Sequence, residues 1–254
     1  SGLNNDWIPV SGSPDLAASA ARAVVLPAHD IAIWRTASGS VQAWENRCPH
    51  RGMRMSFGQV RDDRLVCRYH GWSFDDGGQC RAIPASPDMA APPTACIKTH
   101  GCKEGGGLIW VNVTDNPDAE VATPDGQAAD DGSALFCKSI FVDGNLESLM
   151  PLVKTAQFPL FGDQEGNNNR DWTGVDVSPG VIRISASDAP GEDVTIAGHQ
   201  AVDGRCGLHV VVPSKADEAV DGLRRLHYAA WAVKLRWYLS APQVKANGFP
   251  VFAE

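Results

Sequence analysis

This chain of 254 residues has no basic run or stripe: 22 Lys and Arg stand against 30 Asp and Glu, a formal net charge of −8. Nucleic acid is therefore a poor partner, because a polyanion needs a clustered cationic face. No stretch approaches the ~18 uninterrupted apolar residues of a membrane-spanning helix, so no membrane partner is expected. No signal-peptide pattern opens the chain either, and Ser1-Gly2 reads as a cloning remnant. Cysteine is too scarce for a disulfide scaffold. There are seven, an odd number, which points to a reducing, cytoplasmic setting.

What the chain does have is concentrated in two short lines. Cys48-Pro49-His50-Arg51-Gly52 and Cys67-Arg68-Tyr69-His70-Gly71-Trp72 read C-x-H, sixteen intervening residues, then C-x-x-H. Two thiolates and two imidazoles on two tight loops suit a 2Fe–2S cluster in which two His replace two Cys on one iron. The glycine after each pair lets backbone turn closely where a Cβ would obstruct. A tetrahedral Cys₂His₂ zinc site would use the same four residues. Zinc fingers, however, pair Cys with Cys and His with His along the chain, whereas each loop here supplies one of each. Cys80, Cys96, Cys102, Cys137 and Cys206 form no second such pairing and read as buried, inert thiols.

These loops resemble those of the Rieske family. The resemblance implies that Cys48 and Cys67 bind the inner iron and His50 and His70 the outer one. High-potential members carry an extra cysteine in each loop, joined by a disulfide, whereas Met53 and Arg68 stand near those places here. Gly71-Trp72 also replaces the Gly-Ser that would offer a hydroxyl to the cluster. The wording is thus close to that of the Rieske non-haem iron oxygenases.

The rest of the chain divides in three, and an α+β class is expected. Residues 1–113 read as an all-β domain, with strand-like runs at Ala23–Leu26, Ile31–Trp34, Val41–Trp44, Leu65–Cys67 and Leu108–Val111, separated by turn residues. Trp34, Trp44 and Trp110 are expected in its core, and Trp72 against the cluster loop. His29 and His100 fall outside the ligand spacing and read as ordinary surface or loop histidines. Residues 114–134 form an acidic linker rich in Pro, Gly and Asp. Residues 135–254 read as an antiparallel sheet plus helix. Strand runs lie at Leu135–Val142, Val181–Ile184, Val194–Ala197 and Leu208–Val212. From Ala216 to Leu239, Val220, Leu223, Leu226, Ala230, Val233 and Trp237 recur at helical period. That face is expected to cover a sheet or a neighbouring subunit.

This order resembles the α subunit of a Rieske oxygenase, and Val142-Asp143-Gly144-Asn145 resembles the entry to its catalytic helix. In the family that helix carries Asn, then Asp-x-x-His-x-x-x-x-His, and the two His with a later carboxylate hold a mononuclear iron. Here Leu152 falls at the Asn position and Thr155 at the Asp position, with Phe158 and Asp163 where the His should be. His199, His209 and His227 offer no second His five residues away. The second domain is also short for the family, so it reads as a truncated, degenerate catalytic or assembly domain.

The expectation is therefore a Rieske 2Fe–2S electron-transfer subunit with no catalytic residues and no mononuclear Fe(II) of its own. It would take electrons from a reductase or ferredoxin and serve a catalytic oxygenase subunit, or assemble as a trimer-type homo-oligomer. Two alternatives are a stand-alone ferredoxin-like carrier and an active oxygenase with unrecognised iron ligands.

Overall fold

The computed structural model describes residues 7–114, 132–162 and 170–241. Most of the expected linker, and Asp163, lie outside the described residues. Four strands open the chain: β1 (Trp7–Gly12), β2 (Ala21–Leu26), β3 (His29–Arg35) and β4 (Val41–Glu45). Next, β5 (Gln59–Arg61), β6 (Arg64–Val66), β7 (Ser73–Phe74) and β8 (Cys80–Ala82) make a small antiparallel sheet in chain order. The chain then returns through β9 (Thr99–Gly105) and β10 (Leu108–Asn112), completing a six-stranded sheet of order β1-β10-β9-β4-β3-β2.

β3 shows why its sequence is apolar on both faces. Ile31 and Ile33 pack with Val24, Ala43 and Val111 on one side. Ala32 and Trp34 face the other side, joining Trp44, Met55, Leu65 and Phe74 beneath the small sheet. A strand covered on both faces cannot show the polar alternation of a half-exposed one. Trp34 and Trp44 meet edge-to-face with centroids 4.8 Å apart, and Trp34, Trp44 and Trp110 are all fully buried.

The second unit begins at β11 (Ala134–Asp143), followed by α1 (Leu146–Lys154). β12 (Trp172–Ser178), β13 (Val181–Ala186), β14 (Val194–Gln200) and β15 (Arg205–Pro213) then complete an antiparallel sheet of order β11-β15-β14-β13-β12. α2 (Glu218–Ser240) starts at Asp217, whose carboxylate accepts from the Ala219 and Val220 N–H groups.

The apolar stripe expected to cover a sheet or a neighbouring subunit faces away from this chain's own sheet. Leu223, Leu226, Val233 and Trp237 are 53–70% exposed. α2 instead packs on β11 through Arg224, Tyr228, Trp231, Leu235 and Leu239. Burying Trp231, Tyr228, Leu235 and Leu239 against the sheet contributes roughly 1.5–3 kcal/mol for each large side chain. Arg224 is tolerated inside because its guanidinium donates twice to the Glu192 carboxylate, at 2.8 and 2.9 Å.

An apolar seam joins the two units. Trp7, Leu108 and Trp110 from the first pack with Phe136, Val181, Ala197 and Val211 from the second. A Cβ on Gly12 would lie 2.3 Å from the Phe136 ring, so glycine is what lets β1 come this close.

Candidate metal centre

The first loop leaves β4 and runs toward β5, and the second is the turn from β6 to β7. Both close with the same backbone pattern. The Cys48 N–H donates to the Met53 carbonyl at 2.8 Å and the Gly52 N–H to the Cys48 carbonyl at 2.9 Å. Likewise the Cys67 N–H donates to Trp72 at 2.8 Å and the Gly71 N–H to Cys67 at 2.9 Å. Gly52 and Gly71 sit at φ +73° and +72°, a region an L side chain enters at a cost.

The pattern turns the thiols inward and the imidazoles outward. Cys48 and Cys67 are each 2% exposed and rest on Trp44, Met55, Leu65 and Phe74. His50 and His70 are exposed, with ring centroids 4.7 Å apart. Trp72 stacks on His50 at 4.5 Å and 4°, against the loop as expected. Tyr69, 58% exposed, leans on His70 at 3.9 Å. Burial pushes the Cys48 thiol up to about 11, and the neighbouring Cys67 adds to the rise, against backbone N–H groups of His50 and Arg51 that favour the thiolate. Such a thiol ionises only when a cation takes it up. The His50 imidazole is lowered, by desolvation first and then by His70 and Arg51.

This donor set fits a two-iron cluster better than one zinc ion. A single zinc needs all four ligand atoms within about 4 Å of one another. Among the described residues, only His29, Glu45 and His100 bring three possible ligand atoms within 4.8 Å of each other. The loop residues form two pairs, thiols inside and imidazoles outside, as two bridged irons require.

The other residues singled out from the sequence are scattered. Thr155 is the C-terminal residue beyond α1, and its hydroxyl donates to the Leu152 carbonyl at 2.9 Å. Phe158 is 3% exposed and packs among Trp172, Tyr228 and Trp231, with centroids 4.3–6.0 Å away. His199 and His209 stack at 5.2 Å, with His199 Nδ1 and His209 Nε2 3.2 Å apart, buried near the seam. His227 Nε2 meets the Pro159 carbonyl at 2.8 Å. Cys80, Cys137 and Cys206 are buried, but Cys96 is exposed and Cys102 half-buried, so not all five spare thiols are core groups.

His29 and His100 need a larger correction. They are strand residues, not loop histidines, and the His100 side chain is 1% exposed. Hydrophobic patterning missed β9, whose Thr-His-Gly-Cys-Lys-Glu-Gly sequence has no apolar run. A cleft of about 830 Å³ lies between the two units, bordered by Trp7, Leu26, His29, Leu146, Met150 and His199.

Comparison with known proteins agrees with this geometry. Residues 6–98 match the Rieske [2Fe-2S] domain family. The chain is 32% identical over 162 residues to the oxidoreductase NdmD of Pseudomonas putida, covering 62% of this chain and 28% of that protein. It is 41% identical over 71 residues to methylxanthine N1-demethylase NdmA of the same species, covering 28% of this chain and 20% of the relative. The matched part thus spans less than a third of these relatives. A solved structure of NdmA from Pseudomonas putida CBB5 superposes with a TM-score of 0.69 at 21% identity, covering 99% of this chain and 84% of the other. Apo dicamba monooxygenase gives 0.67 at 19%, covering 100% and 92%. Residues 6–98 are therefore a Rieske domain, and the overall fold is that of the NdmA and dicamba monooxygenase structures.

Proposed function

We propose that this chain is a Rieske 2Fe–2S electron-transfer subunit of an oxygenase-type oxidoreductase system. In this reading Cys48 and Cys67 hold the inner iron and His50 and His70 the outer iron of a cluster that supplies one-electron transfer when bound. The carrying observation is the pair of matching loops, with buried thiols and exposed imidazoles at a single tip. The partition into a Rieske domain (1–113), a linker (114–134) and a second domain (135–254) belongs to the same reading.

The finer part of the proposal is that the second domain holds no oxygen-activating iron, so the subunit works with a catalytic partner. Where the family resemblance expects the relay Asp, Thr155 bonds back to its own helix, and where it expects a ligand His, Phe158 is a core ring. A cluster with every ligand position filled offers dioxygen no vacancy, whereas oxygenation needs a metal with open positions. A reductase or ferredoxin is the fitting electron donor. The outward stripe of Leu223, Leu226, Val233 and Trp237 favours assembly with another subunit over the lone-carrier reading.

Electron paramagnetic resonance on the reduced protein tests the cluster. A rhombic signal of the His-ligated type is expected, and His50→Ala or His70→Ala should abolish it. Colourless protein with zinc in the loops would sink the reading. Size-exclusion chromatography with and without a catalytic oxygenase subunit tests the partner, and a monomer under both conditions would leave only the carrier. An additional iron held in residues 135–254 would overturn the claim about the second domain.

A further inference from the structure

We propose that His29, Glu45 and His100 form a binding site for a first-row divalent transition-metal ion, separate from the Rieske loops. The proposal does not rest on the function above.

The sheet register creates the cluster. β3 and β4 pair Ile31 with Glu45, and β4 and β9 pair Ala43 with His100. Side chains two apart on a strand share a face. His29 therefore stands with Ile31, and Glu45 with Ala43, so the three donors come from adjacent strands on one face. Each offers a ligand atom within 4.8 Å of the other two.

Two observations point to a ligand and not to a simple ion pair. His100 Nε2 lies 3.6 Å from Glu45 Oε1, beyond hydrogen-bond range. It has no hydrogen-bond partner, although its side chain is only 1% exposed. A buried ring nitrogen without a partner is unfavourable unless something else takes up its lone pair.

The spacing suits a small cation. Two ligands about 2.1 Å from a shared ion stand about 3.0–3.4 Å apart, so the His100–Glu45 separation needs a shift of only tenths of an ångström. Two imidazoles with one carboxylate favour zinc or ferrous iron over magnesium or calcium. Three protein ligands also leave open positions. Glu45 is 40% exposed and His29 borders the interdomain cleft, so water or a small anion can fill them. Lys98 is the cationic neighbour that works against binding.

Zinc is the practical probe, since it binds such sites more tightly than ferrous iron. Cluster-loaded full chain is stripped of loose metal, equilibrated with Zn²⁺, desalted and analysed for metal. Wild type should retain one zinc per chain, with the cluster resonance unchanged. His29→Ala and the near-isosteric Glu45→Gln should weaken zinc binding by ~100-fold or more while keeping the cluster signal. Zn²⁺ should raise the melting temperature of wild type but not of Glu45→Gln. Wild type that retains no zinc would overturn the proposal. So would variants that retain it as well as wild type, which would assign the zinc to a thiol such as exposed Cys96. A missing cluster resonance with retained zinc would instead count against the electron-transfer reading alone.

Discussion

Gly52 and Gly71 occupy equivalent places in the two loops, at nearly the same φ, yet their surroundings differ. A Cβ on Gly52 would meet the Arg47 guanidinium at 3.4 Å, an ordinary contact with a flexible side chain. A Cβ on Gly71 would lie 2.9 Å from Cγ of Pro84, a ring that cannot swing aside. Gly52→Ala should therefore cost only the left-handed backbone penalty, about 1–2 kcal/mol. Gly71→Ala carries the same penalty plus an overpacking cost of about 1–3 kcal/mol. Because the backbone cost is shared, the difference between the variants isolates the contact with Pro84. A chain of this size loses roughly 2–4 °C per kcal/mol, so Gly71→Ala should melt several degrees below Gly52→Ala. Cluster absorbance at one fixed heating rate is the readout, since loss of the cluster makes unfolding irreversible. Gly71→Ala should also retain less iron per chain, because the shift falls next to His70. Equal melting and equal iron content in the two variants would refute this account, as would a worse outcome for Gly52→Ala.

Phe158→Ala removes a buried ring packed on Trp172 and Trp231. It should cost about 3–5 kcal/mol in urea unfolding while leaving the cluster resonance intact; a small cost would show that Phe158 is not core. Leu226→Glu or Trp237→Glu on the outer face of α2 should change monomer stability by no more than ~0.5 kcal/mol yet weaken assembly in size-exclusion chromatography. A large stability loss would mean the face is packed within the chain. Acid should destabilise the protein through His199 and His209. Burial lowers His199 from 6.5 to about 4 and holds His209 well below its ordinary value, with His199 and Arg22 adding to the effect on His209. The unfolded chain thus binds these protons first, so stability is full above about pH 6.5 and falls as pH drops from 6.5 toward 4. Urea midpoints across that range should fall for wild type and fall less steeply for His199→Gln; a flat wild-type profile would contradict the burial of the pair.

The two loops and much of the fold were legible because their signals are local. Cys48, His50, Cys67 and His70 stand at short spacings with glycines in register, and their backbone closure repeats that spacing. β2, β3, β4, β10, β11 and β13–β15 lie where apolar runs predicted strands. β9 was not legible, because it becomes a strand by pairing with β4 and β10. α2 was legible as a helix but not in its orientation. Two faces of it carry apolar residues, and period alone cannot say which one a sheet will cover.

The sequence by itself determined the chemistry of the loops, since ligand type, spacing and turn glycines act over a few residues. Only the tertiary structure decided that Phe158 is a core ring, that the outer stripe of α2 is uncovered, and that His29, Glu45 and His100 converge. Those three donors are brought together by the register of β4 with its chain neighbour β3 and with the distant β9. Register follows from how whole faces bury against one another, and no short span of sequence encodes it.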